Sequence, residues 1–147
     1  MRGTIKSVGL GLLIAAGLST AGLAAEIGRI KTAVGSATVQ RGTASIPAAP
    51  GVTLGVKDVL TTGRDGRIGL TFVDNSRFAV GPNARVVLAE FEFDDTTHKG
   101  RSLTQVDRGS LAIVSGQIAK ENRDAVKVRT PTSLLAARGT RFVVDVK

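Results

Sequence analysis

Beyond residue 26, apolar side chains fall at every second position in short runs. Turn-forming residues cut those runs about every eight to twelve residues, the spacing of small all-β domains. Alternation of period two puts one set of side chains on one side of an extended backbone, so it defines half-buried strands rather than helices. The clearest case is the segment 67–72, where Ile68, Leu70 and Phe72 share one face and Arg67, Gly69 and Thr71 the other. Asp74-Asn75-Ser76 then supplies a turn, because short polar side chains bond to nearby backbone. Phe78 and Val80 resume the inward face with Arg77 and Ala79 outward. Gly81-Pro82-Asn83 ends this hairpin, since proline cannot donate to a ladder.

The same logic places strands over residues 27–34, 37–41 and 59–63. Residues 84–93 form a strand whose phase changes, with Val86 and Leu88 in one phase and Val87, Phe91 and Phe93 in the other. Such a change requires either a bulge or burial on both faces. Residues 94–100 read as a polar loop, and 103–106 and 111–114 as two short strands around a turn at Gly109. Residues 116–124 are polar and irregular, or the start of one helical turn at Gln117, Lys120 and Glu121. Val126 and Val128 alternate with Lys127 and Arg129. Thr140, Phe142, Val144 and Val146 share a face opposite Arg141, Val143 and Asp145. Residues 43–50, rich in Ala and Pro, read as an irregular connection. The expectation is an all-β domain, a compact two-sheet roll or solenoid-like β-sandwich of many short strands. No strict repeat of fixed period is present, which argues against a regular β-helix.

The N-terminus has a different character. Arg2 and Lys6 precede an apolar run from Val8 to Leu18, and small residues follow up to Ala25. These are the three parts of a secretory signal peptide, read over residues 1–25 as a helical leader, with the domain over 26–147. Cleavage after Ala24 is preferred to cleavage after Ala25, because it sets Gly22 rather than Leu23 in the pocket three residues back. A spanning helix needs about 20 apolar residues, and this run stops at Ser19-Thr20 after passing Gly9, Gly11 and Gly17. The expected location is the periplasm, with no membrane span after processing. Cysteine is absent, so core packing and sheet hydrogen bonds must stabilise the domain.

Loss of Arg2 and Lys6 with the leader takes the formal charge from +8 to +6. Positive charge attracts any polyanion, but single-strand nucleic-acid binders add aromatic platforms for base stacking, and the chain has no Trp or Tyr. Export also removes nucleic acid as a partner. Lipid headgroups, lipopolysaccharide phosphates and acidic polymers are the anions left, beside the plain reading of a solvated basic surface.

No residues suggest catalysis. His98, the only histidine, lies in the polar loop with Asp94 and Asp95. A zinc site takes three or four N or S ligands, and a calcium site needs a spaced set of oxygens; neither is present, and no nucleophile motif accompanies His98. Glu90 and Glu92 project from one face of a strand, so a paired-carboxylate hydrolase is conceivable, but exposed strand carboxylates beside basic residues are the ordinary explanation. The glycines do not match a phosphate-binding loop. No cofactor and no metal is expected.

The order of motifs resembles the FecR domain family. Small residues open the domain at Gly28-Arg29-Ile30 and Gly35 to Val39, and Gly55 to Gly63 ends in a Thr-Gly step. The strand and turn through Asp74-Asn75-Ser76, the Gly81-Pro82 break, the Gly109-Ser110-Leu111 strand, Thr130-Pro131 and Arg138-Gly139-Thr140-Arg141-Phe142 follow in order. Each piece has a structural reading: turn chemistry for Asp74 to Ser76, a positive φ or close approach for Gly139, the start of a core face for Thr140 and Phe142. The resemblance implies a non-enzymatic periplasmic domain. It also points to membrane regulators of sigma factors, relaying a signal from a TonB-dependent receptor. A cleaved leader in place of a cytoplasmic domain and membrane helix, and a chain that stops at Lys147, argue against that signalling role here. What the resemblance leaves is a protein-interaction or envelope-sensing module that binds an envelope protein. The alternative is a binder of anionic envelope glycan or lipopolysaccharide. The oligomeric state is open.

Overall fold

A computed structural model describes residue 3 and residues 25–147 of the chain. The leader therefore lies almost wholly outside the described residues. The first eight strands are β1 (Gly28–Val34), β2 (Ala37–Arg41), β3 (Ala44–Pro47), β4 (Thr53–Leu54), β5 (Val59–Thr62), β6 (Arg67–Phe72), β7 (Arg77–Val80) and β8 (Arg85–Phe93). They are followed by β9 (Gly100–Val114), α1 (Gln117–Glu121), β10 (Val126–Arg129), β11 (Leu134–Ala136) and β12 (Arg141–Val146).

The all-β expectation is met by one sheet folded over itself into two layers. The first layer runs β4-β1-β6-β7-β9-β12 and the second β3-β2-β5-β8-β9-β10-β11. β9 belongs to both: its start pairs with β8 and its end with β7 and β12. Pairing is antiparallel except between β9 and β10. Register aligns the inward residues into rows. In the first layer Ile30, Leu70, Phe78, Ile113 and Phe142 stand opposite one another in turn, and in the second Val39, Leu60, Val86 and Val106 do. These rows join in one core, where each fully buried Leu, Ile or Val contributes about 1.5–3 kcal/mol. Ile118, Ala119, Val126 and Ala137 form a smaller cluster, bridged to the main core by Phe91 and Phe142.

The chain crosses between layers at glycine corners. These lie at Gly35-Ser36, between Gly63 and Gly66, at Gly81 to Asn83, and within β9 at Gly109. Hydrogen bonds stack them: Gly63 N–H to the Ser36 carbonyl (2.8 Å), Asn83 N–H to the Gly63 carbonyl (3.0 Å) and Gly81 N–H to the Ser110 carbonyl (2.9 Å). The buried Thr62 hydroxyl donates to the Gly81 carbonyl at 2.6 Å and accepts the Ala84 N–H at 2.9 Å. Gly109 has φ +82°, and a Cβ there would lie 2.5 Å from Ala84 Cα. Only glycine combines that left-handed backbone with such a close approach.

Several local expectations change. Residues 43–50 are not wholly irregular, because Ala44–Pro47 pairs with β2 as an edge strand, a position that tolerates proline. The two short strands around Gly109 are one strand of fifteen residues, in which Gly109 bends the chain without reversing it. The phase change in residues 84–93 is a bulge: the register passes from Leu88 opposite Thr104 to Glu90 opposite Leu103, skipping Ala89. That skip lets Phe91 stack on Phe72 with ring centroids 5.1 Å apart. Gly139 has neither a positive φ nor a close approach, since a Cβ there meets nothing nearer than 3.5 Å. Thr140 is exposed, so the core face of the last strand begins at Phe142.

Candidate functional site

The residues singled out by the sequence do not converge on one pocket. Gly81, Pro82 and Gly109 belong to the stack of corners. Asp74, Asn75 and Ser76 form the β6–β7 turn, and this turn reaches further than its sequence suggests. Asp74 is 1 % exposed. Its Oδ1 accepts the Ser76 N–H (3.1 Å) and hydroxyl (2.5 Å), and its Oδ2 accepts the Ile118 N–H at 3.3 Å. The Asp74 carbonyl accepts the Gln117 N–H at 2.8 Å. Asn75 takes the left-handed conformation at φ 69°, which asparagine tolerates. The turn thus clamps the start of α1. Gly116 lies so close that a Cβ would sit 2.4 Å from the Asp74 carbonyl oxygen.

Thr130, Pro131, Arg138, Gly139, Thr140 and Phe142 gather around the strands β10 to β12. The Thr130 N–H donates to the Ser133 carbonyl (2.8 Å), and the Ser133 N–H to the Thr130 hydroxyl (3.1 Å), closing the β10–β11 turn at Pro131. Arg138 pairs with Asp124 at 2.7 Å on the surface. The Gly139 carbonyl accepts the Ser115 hydroxyl and the Thr140 carbonyl the Ser115 N–H, at 2.7 and 2.8 Å. These contacts fix the link from β11 to β12 against the end of β9.

At this end the two layers stop side by side. Among the described residues, β11 pairs only with β10 and β12 only with β9, so the outer backbone groups of both strands have no ladder partner. Between them runs a groove of about 500 Å³, lined by the β10–β11 turn, Leu135 and the segment Val143 to Lys147. Leu135 stands opposite the fully buried Val128, which puts it on the inward face, yet it is 44 % exposed. Its apolar side chain lines the groove and is open to water there. A second hollow, of about 270 Å³, lies between Ser115, Lys120, Arg123 and the Arg138 to Thr140 link. The enclosed space beneath Phe72, Phe78 and Phe91 is only about 10 Å³, room for roughly one water.

The polar candidates are dispersed. Asp94 accepts the Thr96 and Thr97 N–H groups at 2.9 and 3.3 Å, in that order of effect holding its carboxyl below the usual range. His98 stacks on Phe93 in the same loop. Glu92 pairs with Arg101 at 3.2 Å, and Glu90 stands opposite Leu103 on the outer face of the second layer. Among the described residues no three metal-capable side chains come together.

Two polar devices escape a sequence reading. Asp58 is 2 % exposed and receives a bidentate contact from Arg41, Nε to Oδ1 at 3.0 Å and Nη2 to Oδ2 at 2.7 Å, with the Gly55 N–H at 2.8 Å. Arg41 also donates to the Thr53 carbonyl at 2.9 Å, so one guanidinium joins β2 to β4. Its own side chain is 46 % exposed. Arg41→Ala is therefore expected to cost about 1–2 kcal/mol, below the range for a fully buried pair. Arg41→Lys should recover only part, because an ammonium cannot make the bidentate contact; denaturant melts of the three proteins decide it. The second device is Asp65, which accepts the Ser36 N–H at 3.2 Å across a corner. That contact, and then its own N–H, hold its carboxyl below the usual range.

A two-layer roll bent over stacked glycine corners, with its motif residues spent on turns and strand links and an edge left open, defines an all-β domain. The FecR protein family model matches residues 58–147, and the chain belongs to the FecR family. Membership makes it a domain of the envelope-sensing type. No curated protein and no solved structure matches the chain. Residues 28–57 lie outside the family match, yet Ile30, Val39 and Leu54 sit in the same core as the matched part. No helix among the described residues is long and apolar enough to cross a membrane.

Proposed function

We infer that this chain is a non-catalytic, exported FecR-family domain that works in the periplasm by binding another envelope protein. It takes an extended segment of that partner along the open edge between β11 and β12. The observation that carries this reading is Leu135, an inward-facing residue left 44 % exposed beside two strands without outer partners. A segment with apolar residues at alternate positions would complete both the ladder and the core, the physics of strand addition. The leader motif supports export, and the family supports an envelope role.

A photo-crosslinking amino acid at Leu135, in the full chain expressed in its host, tests this, with Lys99 in the β8–β9 loop as the control position. The expected result is a discrete adduct from position 135 that position 99 does not form, lost when Val146→Asp puts a charge in the groove. Identical adducts from both positions, or an adduct indifferent to Val146→Asp in a folded variant, would overturn it.

A further inference from the structure

The outer face of the first layer carries a charge pattern that its fold does not use. Register sets Arg29, Thr71, Arg77, Val114 and Arg141 opposite one another in turn, a single row across β1, β6, β7, β9 and β12. Neighbouring strands lie about 4.8 Å apart. The three arginines, on every second strand, thus have backbones roughly 9.6 Å apart in succession along the row. All three are exposed, as are Lys31 at the β1 bulge and Arg67 on β6. Arg29 shares a surface ion pair with Glu26 at 3.1 Å, a contact weak enough for another anion to replace. Among the described residues Lys31, Arg67, Arg77 and Arg141 take part in no ion pair.

The adjacent row is Thr32, Gly69, Ala79, Ala112 and Val143. Its small side chains make a low floor beside the arginines, and Thr32 Oγ1 lies over Gly69, where a Cβ would be 2.4 Å away. Asp145 is the one acid on β1, β4, β6, β7 and β12, and Asp107 on the shared strand β9 pairs with Arg85 of the second layer. The second layer differs. On its outer face Arg85 pairs with Asp107 and Arg101 with Glu92, and Glu90 stands nearby. Lys127 and Arg129 on β10 and Arg108 on β9 are also exposed there without an ion pair among the described residues, but no register row of that layer sets three cations opposite one another.

We propose that this face binds a linear acidic polysaccharide, laid along the arginine row with its carboxylates on Arg29, Arg77 and Arg141. Guanidinium groups engage carboxylates in bidentate fashion, and a row of them at regular strand intervals matches a chain with regularly repeated acid groups. The hydroxyl of Thr71 lies within the row and that of Thr32 beside it, for contacts to the sugars. A lipid surface fits less well, since the face has no Trp or Tyr to anchor at headgroup depth and its charge is linear. Within these two rows the face meets the β11–β12 groove only at Val143, and none of the three arginines lines that groove.

Affinity electrophoresis of the full chain in gels containing polygalacturonate tests the proposal, with neutral dextran gels and anionic phospholipid vesicles as further arms. The expected result is retardation by polygalacturonate that weakens as salt rises, and none by dextran. Arg77→Glu/Arg141→Glu should lower that affinity at least about ten-fold. Lys127→Glu/Arg129→Glu, an equal charge change on β10 of the other layer, should leave it within about two-fold. Arg77→Gln/Arg141→Gln should fall between them, and thermal melts confirm that each variant folds. Equal losses in both Glu variants would show bulk charge alone. Binding untouched by the arginine changes, or confined to the vesicles, would equally overturn the proposal.

Discussion

Gly109→Ala is expected to lower the stability of this domain by about 2–5 kcal/mol, more than the same exchange at Gly42, a left-handed glycine with open space around it. Two effects add at this site. A left-handed backbone costs a residue with a Cβ roughly 1–2 kcal/mol. The new methyl would also meet Ala84 Cα at 2.5 Å, and overpacking against backbone adds about 1–3 kcal/mol. Gly42 separates the two, because its φ is +60° and a Cβ there meets nothing within 4 Å. Gly42→Ala should cost only the backbone share, about 1–2 kcal/mol. Paired urea melts measure the difference, which is the energetic weight of the close approach at the corner. If the two variants prove equally stable, β9 does not turn tightly from one layer into the other at Gly109.

Asp74→Ala should cost about 3–4 kcal/mol, for another reason. It removes the acceptor of three donors, the Ser76 N–H and hydroxyl and the Ile118 N–H, at a site closed to water. An unsatisfied buried donor costs about 1–3 kcal/mol, and the Ser76 hydroxyl can rotate to recover part. Asp74→Asn keeps one oxygen but turns an NH2 toward donors, so an intermediate loss is expected. The loss should show first in α1: amides of Ile118 and Ala119 should exchange faster in Asp74→Ala than those of β6 and β7. Uniform destabilisation with α1 still protected would mean that the turn does not hold the helix.

Where one face of a strand is buried, the alternation made the fold legible. The β6–β7 hairpin, β10 and the faces of β12 from Phe142 onward follow from it directly. β11 was invisible because Leu134, Leu135 and Ala136 are all exposed, and without a buried face there is no period to read. β3 was hidden by its Ala and Pro content, and β4 by its length of two residues. Gly109 was recognisable as special, yet a turn and a bend within a strand carry the same local mark; only the pairing of β9 with both β8 and β7 distinguishes them. The Arg41–Asp58 contact links residues 17 positions apart, and nothing near Asp58 announces it. The arginine row was likewise unreadable, because Arg29, Arg77 and Arg141 become neighbours only through register.

The most direct test of the functional account is amide hydrogen exchange on the full chain, alone and bound to the protein captured through position 135. In the free chain, the β11 amides and those on the outer side of β12 should exchange as fast as loops while β6 and β7 stay protected. In the complex, β11 or β12 should gain protection in an alternating pattern, as an added strand requires. Protection of both strands already in the free chain, or none gained on binding, would contradict an edge that receives a partner's strand.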